Sequence, residues 1–173
     1  MLEALIFVVF PFCMVFAALS DMLSMTIANR VSMLLVAVFA VVAPLTGMDW
    51  LTYGWHFAAG ALVLAVTFSL FALGGMGVGD AKLMSATAVW MGFNFHLLEY
   101  LVISSFIGGA LTIALLSYRS STLALYTGQN MFLRHLANSK GGVPYGIALG
   151  LGGLIVYPST PLMVWALGRL AGQ

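Results

Sequence analysis

The residues able to do chemistry in this chain are few: it holds five acids in 173 residues. One of them, Asp80, lies in the glycine-rich stretch Gly74-Gly75-Met76-Gly77-Val78-Gly79-Asp80-Ala81-Lys82. Its four glycines let the backbone bend sharply and come close to a bound chain, because no side chain blocks either move. A second acid, Asp21, ends the first apolar run. Each has an ordinary structural reading when taken alone. Asp80 would cap the helix that follows, and Asp21 would be an interfacial residue at the edge of a membrane. Brought together, they can do more. Two carboxyls within hydrogen-bonding reach cannot both ionise easily, so they share a proton. One then accepts a proton from water while the other donates to a carbonyl oxygen. This is the chemistry of peptide hydrolysis without a covalent intermediate, and its titration belongs to the pair. Lys82 is either a positive anchor at the membrane face, the preferred reading, or a charge that modulates the dyad or meets an acidic substrate group.

Other chemistries find less support. His56, His96 and His135 are scattered without ligand spacing. The single cysteine, Cys13, rules out an intrachain disulfide and a cysteine-based zinc site, and it sits in an apolar run where it packs as a small hydrophobe. No metal and no cofactor is expected. The net charge of +1 lacks the clustered basic footprint of nucleic-acid binding.

The elements that must position the two acids are membrane helices. The chain is 62% hydrophobic and 6% charged, with a mean hydropathy of +1.09, against about 25% charged residues in soluble domains. At roughly 20 apolar residues per span, there is room for five to seven helices and little else. The expectation is an all-α polytopic membrane protein of about six spans, folded as a single embedded unit over residues 1–173. The spans are read at 4–20 with Pro11 inside, 31–45, 54–73, 83–98, 100–116 and 143–167, the last bent at Pro158 and Pro161. Glu3 stands where a signal peptide would carry a cation, so the first segment is read as a retained span. Trp50, Tyr53 and Trp55 suit an interfacial belt. Residues 122–138 are amphipathic at best and would lie along the membrane surface, and the wider stretch 117–142 would dock a substrate leader or rest on lipid. Ser69, Ser85, Thr87 and Asn94 would line a cleft or simply pack.

Charge sets the expected orientation. If six spans alternate, Arg30, Lys82, Arg119, Arg134 and Lys140 share one side, while Glu3, Asp49, Glu99 and Arg169 share the other. The basic side is then cytoplasmic and both termini face outward. Asp21 and Asp80 fall together on the cytoplasmic side.

On these residues the chain resembles the prepilin peptidases of the GxGD membrane aspartyl protease class, most closely the short form associated with Flp-type pili. The matching segments are Asp21 with Ile27-Ala28-Asn29, Gly77-Val78-Gly79-Asp80-Ala81-Lys82-Leu83, and Val143-Pro144-Tyr145-Gly146-Ile147-Ala148. The resemblance implies a multi-pass protein of the bacterial inner membrane with its active site toward the cytoplasm. It would remove the basic leader of prepilins or pseudopilins after a glycine just before the substrate's hydrophobic helix, alongside the pilus assembly machinery. It makes Asp21 and Asp80 the catalytic pair. Gly77 and Gly79 would admit the substrate backbone, and Asn29, Lys82, Pro144, Tyr145 and Gly146 would bind substrate or shape the cleft. The chain departs from the family pattern at Ala28, where a proline is usual. It also lacks the cysteine-rich zinc region of longer members, which implies cleavage without N-methylation. An archaeal-type preflagellin peptidase is a near alternative, whereas Pro144-Tyr145-Gly146 replaces the Pro-Ala-Leu of the presenilin branch. From another class, a small transporter or secretion-system scaffold would use the two acids for proton transfer or helix pairing.

Overall fold

The computed structural model describes residues 1–121 and 142–172, and all regular structure among them is helical. In chain order the helices are α1 (Leu2–Ser24), α2 (Asn29–Leu45), α3 (Trp50–Ala72), α4 (Val78–Met91), α5 (Phe95–Arg119), α6 (Tyr145–Val156), a single 3-10 turn (Tyr157–Ser159) and α7 (Pro161–Leu170). Three of them, α1, α3 and α5, are long and apolar enough to cross a membrane. The pair α6–α7, bent by 53° at the 3-10 turn, makes a fourth candidate span. The expected bend at Pro158 and Pro161 is therefore present, and Pro161 opens α7 at a position where a missing N–H costs nothing. Pro11 lies inside α1 without ending it. The 122–138 segment, with its amphipathic reading, and the cations Arg134 and Lys140 lie outside the described residues.

The centre of the bundle is α4. It packs against α2, α3, α5 and α6, and from Ala86 to Met91 every residue is buried. A helix that is apolar all round belongs inside. One end of the bundle is held by aromatic rings. Phe10 of α1 stacks on Tyr157 at 4.0 Å between centroids, and Trp90 meets Phe10, Phe39 and Tyr157 at 5.3, 5.7 and 5.9 Å. The polar tips of these residues are satisfied: Trp90 Nε1–H donates to the Leu35 carbonyl at 2.9 Å, and the Tyr157 hydroxyl donates to the Ile6 carbonyl at 2.6 Å.

The boundary between α4 and α5 differs from the sequence expectation. Residues 83–98 read as one apolar span, with His96 and Glu99 at its end. The chain instead breaks at Gly92, whose φ of 76° favours glycine, and α5 starts at Phe95. The buried His56 ring fills the space beside Gly92, so that a Cβ there would meet ring atoms at 2.6–2.9 Å. Asn94 caps α5 by accepting from His96 N–H at 2.8 Å. Asp49 caps α3 in the same way, and the Thr52 N–H holds its carboxyl below the usual carboxylate range. Of the other polar candidates, Ser69 and Thr87 bond carbonyls of their own helices, and Ser85 bonds the Gly60 carbonyl across to α3. Their hydroxyls are thus bonded within the bundle.

Candidate active site

Asp21 belongs to the buried stripe of α1, in line with Ile6, Phe10, Cys13, Met14 and Ala17 at helical spacing. The helix runs one turn past it and stops at Met25, which takes the left-handed conformation with φ 53°. Asp21 is 5% exposed. A buried carboxylate must be hydrogen-bonded, and here the Gly146 N–H donates to Oδ2 at 2.7 Å. That amide lies in the first turn of α6, where N–H groups have no partner within their own helix. Gly146 is also the residue that fits: a Cβ there would lie 2.8 Å from Asp21 Cβ and 2.9 Å from both Asp21 Oδ2 and Ile27 Cδ1.

Asp80 is not the cap of its helix, as the capping reading had it. Gly77 is the cap residue of α4, and Asp80 sits in the first turn. Its carboxylate folds back against Gly77, where an added Cβ would come within 2.8 Å of Oδ2. The side chain at this position thus reaches toward an otherwise unpaired backbone amide. Asp80 is partly exposed. Asp21 and Asp80 both line one cavity of about 1060 Å³.

Ile27 joins the two carriers. Its side chain is buried against Gly79 on one side, where a Cβ would stand 3.2 Å from Ile27 Cβ, and against Gly146 on the other. Ala28 follows with φ −65° and ψ 131°, a geometry that proline also adopts. Asn29 then opens α2 and its Oδ1 accepts from Lys82 Nζ at 2.9 Å, tying α2 to α4 on the exposed side of the site. Pro144 is buried and caps α6.

The candidates therefore divide. Asp21, Gly77, Asp80 and Tyr145 line the cavity. Asn29, Gly79, Lys82, Pro144 and Gly146 do not line it; of these Gly146 bonds a lining acid directly, while Asn29 and Lys82 bond each other. Sequence reasoning missed Gly108 on α5. The Tyr145 ring lies directly over it, so a Cβ there would run into the phenol. Only its pairing with Gly109 gave any signal, and two adjacent small residues in a membrane helix ordinarily mean packing.

The type IV leader peptidase family matches the chain over residues 8–113, more than half its length and a stretch that holds both Asp21 and Asp80. No curated protein and no solved structure shows significant similarity to it. The chain belongs to the type IV leader peptidase family. It is a multi-pass membrane protein of an aspartic-type prepilin peptidase family, and that family implies prepilin substrates.

Proposed function

We propose that this member of the type IV leader peptidase family cuts the leader from Flp-type prepilins after a glycine, with Asp21 and Asp80 as its acid–base pair. The observation that carries the reading is the meeting of two acids, from α1 and α4, in one cavity beside a glycine-rich loop. Gly146 N–H donates to Asp21 Oδ2 and fixes the orientation of that carboxyl. In the reaction, the ionised carboxylate takes a proton from water as the oxygen attacks the carbonyl carbon. The protonated partner gives its proton to the carbonyl oxygen. The resulting tetrahedral diol collapses with the C–N bond broken and a proton delivered to the departing amine. Gly77 and the exposed Gly74 and Gly75 leave room for an extended backbone beside Asp80.

The arrangement of charge supports a bundle of six crossings, α1 to α5 and the α6–α7 pair, with the site at the cytoplasmic face and both termini outward. The helices α2 and α4, of 17 and 14 residues, would cross as inner members of the bundle. One membrane-embedded unit over residues 1–173 and cleavage without N-methylation complete the proposal, supported by the single cysteine of the chain. Co-expression with a pilin-like precursor tests it by the mass of the product. A cut after glycine with the wild type, and intact precursor with Asp80→Asn, is the expected result. If Asp80→Asn still processes the precursor, the dyad is wrong. If the inserted wild type does not process it, the acids serve a transporter or scaffold instead.

A further inference from the structure

The cavity that holds the two acids continues away from them as a groove. α3 and α5 flank α4 on two sides but form no packed interface with each other among the described residues. The space between them is lined from Leu70 and Thr67 back to Leu62 on α3, and from Thr112 to Leu97 on α5. These two rows run in opposite chain directions, so Leu70 and Thr112 lie toward the acids, while Leu97 lies with Phe93 at the far end of α4. The groove therefore follows the length of α4, about 21 Å for 14 residues.

Its polar side chains away from the acids are Thr67, Ser105, Thr112 and Tyr145. Thr67, Ser105 and Thr112 each donate to a carbonyl of their own helix at 2.7 Å. What remains is an apolar trough about as long as a 14-residue helix, open to the side and continuous with the acids at one end.

We infer that this α3–α5 groove receives the apolar helix that follows the scissile glycine of the precursor. The inference rests on the peptidase reading above and gives it a register. The first turns of the substrate helix lie beside Thr67 and Leu70, and later turns lie beside Leu101 and Leu97. The substrate helix supplies a wall that the described residues leave open between α3 and α5. Burial of its apolar side chains in a shaped trough, in place of contact with fluid lipid, holds the glycine at Asp80.

Disulfide cross-linking in membrane vesicles tests this. The native Cys13 is 2% exposed, so an introduced cysteine is the only reactive one. Val66→Cys and Leu101→Cys report the groove, and Phe106→Cys and Ile113→Cys, on α5 residues that are 76% and 69% exposed, report the outer surface. The partner is a synthetic precursor with a basic leader, a glycine and an apolar helix of about 20 residues that carries one cysteine. Asp80→Asn keeps it uncut during cross-linking, and cleavage is scored separately with Asp80 intact. The expected result is cross-links at Val66 from an early helix position and at Leu101 from a later one, at least tenfold over Phe106 and Ile113. Equal yields on both surfaces, or no groove cross-link from a precursor that is cleaved, would overturn the groove and leave the peptidase standing. A precursor that is never cleaved overturns the peptidase reading and the inference with it.

Discussion

Asp21 and Asp80 are held by different means, and the difference sets what each substitution does. Asp21 is buried with one oxygen fixed by Gly146 N–H, while Asp80 sits in the first turn of α4, just after a glycine loop that lines the cavity. Either Asp→Asn change keeps the shape of the side chain and removes the proton transfer. Cleavage is expected to fall by about 10²–10⁴-fold in each case, measured as turnover of a precursor by variants that insert normally. Gly146→Ala is expected to act through Asp21, since the new methyl would stand 2.8 Å from Asp21 Cβ. It should lower turnover at unchanged KM, and wild-type kinetics would show that the amide clamp on Asp21 is dispensable. The two acids were legible in the sequence because a carboxylate is rare in so apolar a chain. Gly146 was legible only by its motif, and the hydrogen bond that makes it matter spans 125 residues.

At the scale of elements, the glycines at turns and crossings decide where helices stop and how close they come. Gly92→Ala would force a side chain into a positive-φ position against the His56 ring, at a cost of about 1–3 kcal/mol read from thermal unfolding in detergent. Full retention of stability would show that the α4–α5 break can move. Hydropathy alone missed this break because residues 83–98 are apolar on both sides of it, and only the pairing with His56, 36 residues earlier, makes it visible. Gly108→Ala on α5 is expected to displace the Tyr145 ring and weaken cleavage. A Tyr145→Ala background should remove that sensitivity, a coupling read by a double-mutant cycle. Ala28→Pro makes the opposite kind of prediction. The φ of −65° already suits proline, and the Ala28 N–H donates to no backbone carbonyl among the described residues. Stability should therefore rise by about 0.4–1 kcal/mol with cleavage retained, and a loss of folding would show that the connector needs its freedom.

For the whole molecule, the ends of the bundle are sorted by charge and chemistry. Asp21, Asp80, Asn29, Lys82 and Tyr145 gather at one end, and the aromatic lock of Phe10, Trp90 and Tyr157 lies toward the other. Alternation of apolar runs made the bundle legible, since helices long enough to cross a membrane announce themselves by length. The short α4 was harder to bound, because a helix buried on all sides has no polar face to mark its register. The groove between α3 and α5 was not legible at all, since it depends on which of the described helices pack closely and which stand apart. The most direct measurement of the central claim is turnover of a synthetic precursor by the purified chain in lipid vesicles, comparing wild type with Asp21→Asn and Asp80→Asn. The account predicts a single cut after the glycine by the wild type, unaffected by a metal chelator, and no cut above background by either variant. Cleavage that survives loss of either carboxylate, or that stops on chelation, would contradict it.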